Sequence, residues 1–299
     1  MKISTSSNSS SSETNLYFFP LPITENRAGN YDKYLRITLY HIKKIKKYLS
    51  SNQSQCPISS QKNFENILDK NKKILLLDLD ETLIHADFFE ELEENKIDSN
   101  KYDAIISFYT SEDPNINNTN NNNNITDNNT TDDESKDDSC EKVLNKVGIF
   151  IRPKVKEFLE EISKYFLIGV FTAAIPEYAD AAINYLDPEE KYIKFKLYRN
   201  DCINIGDLVR VKDLKIFGEE NLDKIVLLDN NIYSFSNQLS NGILINSFFN
   251  DENDDELSNV RKYLIEYIFP CDDVRKINEQ FFGFETILKK FCELVKLFF

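Results

Sequence analysis

Asp78 and Asp80 stand two residues apart at the end of an apolar run, ILLLDLD. Far along the chain, Thr172 closes the run FLIGVFT, and Asp229-Asn230 closes IVLLDN. If each run is a strand of one parallel sheet, the carboxyl ends of those strands form the ligand crevice. Three acids, one amide and one hydroxyl would then share a small volume. Asp78 and Asp80 would point to the same side if the strand continues through them, because strand side chains alternate. Three carboxylates in one crevice repel one another and raise their own pKa values, a conflict that a bound cation removes. Oxygen donors with water suit Mg²⁺, which takes one or two carboxylates plus a substrate phosphate. A carboxylate beside a metal-held phosphate points to covalent catalysis through an aspartyl-phosphate. A lone acid at a strand end is an ordinary turn residue. The combination of D-x-D-E-T, a strand-end Thr and a strand-end D-N is what carries the chemistry.

Those residues need a sheet to hold them. Residues 74–79 are continuously apolar up to the first acid, as expected for a strand buried on both faces. Residues 102–109 and 143–151 read as two further strands, a hairpin inserted after the first acidic motif. Pro153 suits a first helical turn, and Val155, Phe158, Leu159 and Ile162 then form an apolar stripe. Residues 166–172 read as a second buried strand, followed by a helix from Pro176 with Ala179, Ala182, Ile183 and Leu186 inward. Residues 225–229 and 243–246 read as a third and a short fourth strand. This alternation predicts an α/β fold, a Rossmann-like parallel sheet with helices on both faces and a small β-hairpin insertion. No large cap domain is expected.

Four segments follow. Residues 1–30 are a Ser-rich, disordered stretch. Residues 31–50 form a basic amphipathic helix, with Tyr34, Leu35, Thr38, Ile42, Ile45 and Leu49 on one face and Lys33, Arg36, Lys43, Lys44, Lys46 and Lys47 on the other. Such a helix either packs on its own domain or docks on an acidic partner or membrane surface. Residues 65–269 form the main domain, with 111–142 a low-complexity loop in which residues 115–129 contain ten Asn. Such tracts bury too little apolar surface to offset chain entropy. Residues 270–299 form a C-terminal amphipathic helix with Ile287, Leu288, Phe291, Leu294, Val295 and Phe298 in a stripe.

Composition removes other chemistries. Lys plus Arg is 36 against 50 Asp plus Glu, a formal charge of −14, which argues against direct nucleic-acid binding by phosphate neutralisation. Only 7 glycines occur and none form G-x-G, so dinucleotide, Walker A and kinase glycine loops are excluded. With His41 and His85 as the 2 histidines, a His-rich zinc site cannot be written. Five cysteines without C-x-x-C read as reduced thiols of an intracellular protein, in nucleus or cytoplasm. No apolar run approaches a membrane span.

Asp78-Leu-Asp-Glu-Thr-Leu-Ile-His85 resembles the first motif of the haloacid dehalogenase superfamily. In particular it is similar to the small C-terminal-domain phosphatases and the NLI-interacting-factor-like proteins. The match continues through Arg152-Pro153, Phe171-Thr-Ala-Ala174, Tyr178-Ala-Asp180, Leu197-Tyr-Arg-Asn-Asp-Cys202, Val211-Lys-Asp-Leu214 and Leu227-Leu-Asp-Asn-Asn231. The resemblance implies roles. Asp78 would be the nucleophile, and Asp80 the acid for the leaving oxygen and then the base for water. Thr172 and Lys212 would hold the phosphoryl oxygens. Mg²⁺ would sit on Asp78, the Asp80 carbonyl and Asn230, with Asp229 close by. Arg199 matches a position near the substrate cleft. The place of His85 in the motif implies a structural hydrogen bond.

The implied activity is a Mg²⁺-dependent protein serine/threonine phosphatase, with the RNA polymerase II C-terminal domain or another phosphoprotein as substrate. Without a cap the crevice should be open, which suits an extended phosphopeptide better than a small metabolite. The alternative is a catalytically idle relative that binds phosphoproteins or serves as a scaffold. Retention of all the acids favours the enzyme. The chain departs from the family pattern in two places: Phe248-Phe249 stands where a Trp is usual, and CINIGDLVR replaces a His-Arg-Gly loop.

Overall fold

The computed structural model describes residues 28–51, 72–89, 98–111, 142–206 and 208–298. Of the stretches expected to be disordered, residues 1–27 and 112–141 lie outside the described residues, whereas 28–30 open a helix and 111 and 142 are strand residues. The central sheet has five parallel strands: β1 (Lys73–Leu77), β5 (Phe166–Phe171), β6 (Ile193–Leu197), β9 (Ile225–Asp229) and β10 (Gly242–Leu244). Their order is β10-β9-β1-β5-β6. The chain runs outward from β1 to β5 and β6, then returns to β9 and β10 on the other side of β1. Right-handed crossovers in opposite directions place their connections on opposite faces of the sheet. The order reverses beside β1, so the crevice opens at its carboxyl end. The last four residues of β1, Ile74 to Leu77, are buried, as are all five residues of β9. That covering on both faces is why these runs are continuously apolar.

Between β1 and β5 lies an insertion. The sequence suggests a hairpin there, whereas the structure has a three-stranded antiparallel sheet ordered β2-β4-β3: β2 (Ile84–Phe88), β3 (Ala104–Ser111) and β4 (Lys142–Ile151). The missed strand, β2, reads IHADF, which alternates apolar and polar residues but over only five positions directly after the acidic motif. It forms because β4 is long enough to pair its second half with β2, from Ile84 opposite Ile151 to Phe88 opposite Val147. Gly148 in β4 must be glycine: a Cβ there would lie 2.5 Å from the Tyr102 ring. A second small hairpin, β7 (Ile203–Ile205) with β8 (Val209–Val211), precedes Lys212.

Helices α2 (Val155–Ile162), α3 (Pro176–Leu186) and α4 (Glu256–Tyr263) carry apolar stripes into the core. Helix α1 (Ala28–Ser51) packs on its own domain through Leu39, Ile42 and Ile45. Leu39, absent from the stripe expected from sequence, replaces Thr38 as the inward residue. Ile45 packs with Ile203 and Val211 beside the β7–β8 hairpin, and Lys46 pairs with Glu285 at 2.7 Å. The tail is two helices, not one: α5 (Val274–Phe282) and α6 (Phe284–Phe298). Gly283 separates them at φ 62°, a left-handed conformation that ends α5 without a Cβ penalty. Val274, Phe282, Phe284 and Leu288 join the main core, so the tail is part of the same unit, while Leu294 is exposed. Among the described residues no helix is long and apolar enough to cross a membrane.

One buried cation fastens the first acidic motif to the rest. Arg152 is fully buried, and Nε and one terminal nitrogen bind both carboxylate oxygens of Asp254, at 2.8 and 2.7 Å. The other terminal nitrogen donates to the Thr82 carbonyl at 3.0 Å, and a further bond reaches the Asn246 carbonyl at 2.8 Å. Removing the guanidinium leaves the mostly buried Asp254 carboxylate with the Glu256 N–H alone and takes a donor from two carbonyls. Arg152→Met should therefore cost about 3–5 kcal/mol in urea unfolding. A change below about 1 kcal/mol would show that water or repacking replaces this brace.

Candidate active site

Leu77 is the last residue of β1, but the ladder reaches one residue further: the Asp78 N–H donates to the Leu228 carbonyl at 2.9 Å. The chain then turns, with the N–H groups of Thr82, Leu83 and Ile84 all directed at the Leu79 carbonyl. Glu81 sits in this turn at φ 54°. The first acid is thus held by strand pairing and the second by a turn, and the strand does not continue through both as the spacing suggests.

Lys212, directly after β8, is buried and bridges two acids. Its ammonium lies 2.6 Å from Asp78 Oδ1 and 2.6 Å from Asp229 Oδ2. Burial opposes the charge of Lys212, but the carboxylates of Asp229 and Asp78 outweigh it and hold its pKa above the usual value. Asp229 is completely buried, and its second oxygen accepts the Asn231 N–H at 2.7 Å. Burial, then repulsion from Asp78, pushes the Asp229 pKa up to about 7 against the pull of Lys212. Asp80 is raised to about 7 chiefly by burial; a hydrogen bond from Tyr178 opposes this rise, and the charge of Asp78 adds to it. One ammonium among three acids therefore leaves the crevice short of positive charge.

Thr172 follows β5 and is buried; its Oγ1 accepts the Ala174 N–H at 3.0 Å, which leaves its hydroxyl proton to donate. Asn230 is half-buried and its amide nitrogen donates to Ser247 Oγ at 2.9 Å, leaving the amide oxygen as an acceptor. Arg199 is exposed but anchored: Nε donates to the Ala173 carbonyl at 2.8 Å and the backbone N–H to the Ala174 carbonyl at 2.9 Å. A cavity of about 360 Å³ opens beside Asp80, walled by Phe88, Phe108, Ile175 and Tyr178 with Arg199 at its rim.

The donors suit a hard divalent ion. They are carboxylate, carbonyl and amide oxygens, around a buried negative excess that Lys212 does not balance. Among the described residues no three acid, His or Cys side chains form a closed cage, since Lys212 stands between Asp78 and Asp229. Asp78, the Asp80 carbonyl and Asn230 together with waters could hold Mg²⁺, an ion that retains waters and needs few carboxylates.

The structure thus brings Asp78, Thr172, Lys212 and Asp229 to one edge of the sheet, with Asp80 and Arg199 on the adjoining cavity. His85 lies apart, its ring stacked on Phe150 at 6.1 Å and Nδ1 3.4 Å from Glu81. Cys202 is buried, which pushes its thiol up to about 12, so it is no nucleophile. Reading the sequence alone leaves Tyr178, Phe88 and Phe108 without a role. For Tyr178 the sequence signal is its place in the matching stretch Tyr178-Ala-Asp180, six positions after Thr172; Phe88 and Phe108 carry none.

Residues 73–275 match the family model described as NLI interacting factor-like phosphatase. The chain is 41% identical over 124 residues to CTD small phosphatase-like protein 2 of Dictyostelium discoideum, covering 42% of this chain and 21% of that protein. It is 37% identical over 138 residues to CTD small phosphatase-like protein 3 of Caenorhabditis elegans, covering 46% of this chain and 47% of that protein. It spans less than half the length of both. CTD nuclear envelope phosphatase 1B of Danio rerio is 28% identical over 80% of this chain and 84% of its own. A solved structure of Fcp1, titled an essential RNA polymerase II CTD phosphatase, aligns at TM-score 0.43 and 18% identity, covering 77% of this chain and 64% of that one.

Lys212→Met should destabilise the metal-free protein at pH 8 by about 3–5 kcal/mol, because it strands two buried acids. Asp229 has its folded pKa raised above the unfolded value, so its penalty grows as pH rises from the usual carboxylate range toward that raised value. Much of the loss should therefore be recovered at pH 5, as read by thermal unfolding with chelator present. A loss independent of pH would contradict this.

Proposed function

As this chain belongs to the NLI interacting factor-like phosphatases, we propose that it is a Mg²⁺-dependent protein serine/threonine phosphatase working through an aspartyl-phosphate. The observation that carries the reading is the ammonium of Lys212 buried at 2.6 Å from both Asp78 and Asp229, at the crevice mouth where Asp80 faces a cavity.

Phosphate monoester hydrolysis is among the slowest uncatalysed reactions, so one carboxylate does not suffice. Asp78, with Oδ1 tied to Lys212, attacks phosphorus through Oδ2. The bond from phosphorus to the seryl or threonyl oxygen breaks, and Asp80 gives that oxygen its proton. Asp80, now a carboxylate, takes a proton from water as the water attacks phosphorus; phosphate leaves and Asp78 is regenerated. The Thr172 hydroxyl and Lys212 ammonium hold the phosphoryl oxygens as charge develops. Asp78, the Asp80 carbonyl and Asn230 would hold Mg²⁺, which would supply further positive charge there. Asp80 is suited to both roles because burial keeps it near neutrality, where an acid can both give and accept a proton.

The substrate is a phosphoprotein. The crevice has no cap of helices over it among the described residues, and the cavity beside Asp80 has an apolar wall of Phe88, Phe108 and Ile175 alongside Asp80, Glu81 and Arg199. That combination suits an extended peptide whose neighbouring side chain is apolar and whose backbone or flanking acid meets Arg199. The RNA polymerase II C-terminal domain is one such polypeptide, and another phosphoprotein is equally served.

Turnover of an aryl phosphate should require Mg²⁺ and fall by a factor on the order of 10⁴ or more in Asp78→Asn. A serine-phosphorylated peptide should be hydrolysed far faster than a sugar phosphate. Well-folded protein with no turnover on any of them would instead mark a phosphoprotein-binding or scaffolding module.

A further inference from the structure

The acid at position 80 is gripped by a residue that the aspartyl-phosphate reading does not use. Tyr178 lies in the first turn of α3, begun by Pro176, and is buried. Its hydroxyl donates to Asp80 Oδ1 at 2.5 Å. The Tyr178 ring is held in turn by the inserted sheet. Phe88 of β2 stands 5.3 Å away, tilted by 48°, and Phe108 of β3 5.7 Å away, tilted by 59°. Two rings from one sheet, at the separations that aromatic pairs favour, leave the phenol little freedom to turn. A tyrosine that only walled the cavity would need no such bond, since a phenylalanine fills the same volume.

We infer that Tyr178 is the positioning residue of the acid–base step: by donating to Oδ1 of Asp80 it confines the exchangeable proton to Oδ2 and fixes that oxygen toward the phosphoryl site. The inference rests on the function proposed above. A carboxylic acid carries one O–H and one acceptor oxygen, while a phenol at ordinary pH keeps its proton. When Oδ1 accepts from the phenol, the carboxyl proton is left on the other oxygen, where the leaving group can take it. As that proton departs, the bond from Tyr178 becomes a bond to a full carboxylate and strengthens. An interaction that strengthens along the reaction lowers the barrier instead of only tightening binding. No atom is exchanged with Tyr178 at any point, so it positions the acid and does not itself react. The inserted sheet thereby serves the chemistry at one remove, since Phe88 and Phe108 set the ring that sets the acid.

The need for this help depends on the leaving group. A seryl alkoxide must be protonated as it leaves, whereas 4-nitrophenolate is stable without a proton. The experiment uses the full chain with Mg²⁺, enzyme in excess, and a single turnover of either a phosphoserine peptide or 4-nitrophenyl phosphate. That reads the first phosphoryl transfer alone. Tyr178→Phe keeps the ring and its two aromatic contacts. It should slow release of the dephosphorylated peptide at least about tenfold, part of the 10²–10⁴ that general acid catalysis contributes, and change 4-nitrophenolate release less than about threefold. In an Asp80→Asn background the same change should cost nothing further, because a positioning residue acts only through its partner. Equal slowing of both substrates, or slowing that persists in the Asp80→Asn background, would overturn the inference and make Tyr178 a structural or peptide-binding residue. A wild-type chain that releases neither product would instead overturn the aspartyl-phosphate reading beneath it, an outcome that the wild-type control separates from failure of Tyr178 alone.

Discussion

The ammonium of Lys212, buried between Asp78 and Asp229, holds together what three distant parts of the chain deliver. A buried lysine is costly unless paired, and two carboxylates brought together without it would repel. The three groups come from the end of β1, the end of β9 and the residue after the β7–β8 hairpin. The five-stranded sheet is the device that makes them meet, since β1 and β9 pair in register from Ile74 opposite Ile225 to Leu77 opposite Leu228. The hairpin that delivers Lys212 is backed by Ile45 of α1, so a helix outside the matched family region supports the edge where the acids lie.

The charges around the crevice do not cancel. Asp80 and Asp229 are both pushed toward neutrality chiefly by burial, so the fold gives up stability to keep acids where water is scarce. Such an arrangement is expected where a group must change protonation during a reaction. Arg152 ties the turn after Asp80, through the Thr82 carbonyl, to Asn246 and Asp254 in the segment that follows β10.

Much of this was legible in the sequence, for identifiable reasons. Fully buried parallel strands are continuous apolar runs, so β1, β5 and β9 announce themselves, and the acids stand at their ends. Local spacing therefore located Asp78, Thr172 and Asp229. Strand β2 was missed: IHADF alternates apolar and polar residues, but over only five positions directly after the acidic motif, and it is held as a strand by pairing with β4. The contact between Tyr178 and Asp80 was hidden because it joins side chains 98 positions apart, which no local spacing records. The break between α5 and α6 rests on one glycine, Gly283, inside an otherwise helical pattern. In α1 the inward stripe follows the surface it meets, so Leu39 is buried where Thr38 was expected.

Everything proposed for this crevice turns on whether Asp78 takes the phosphoryl group. Acid quenching of the protein during turnover of a phosphoserine peptide with Mg²⁺, followed by mass spectrometry of its proteolytic fragments, answers that without an intermediary. The expected result is the mass of one added phosphoryl group on the fragment containing Asp78, absent from Asp78→Asn. Rapid phosphate release with that fragment never modified, or with the phosphoryl group on another residue, would contradict the proposed chemistry.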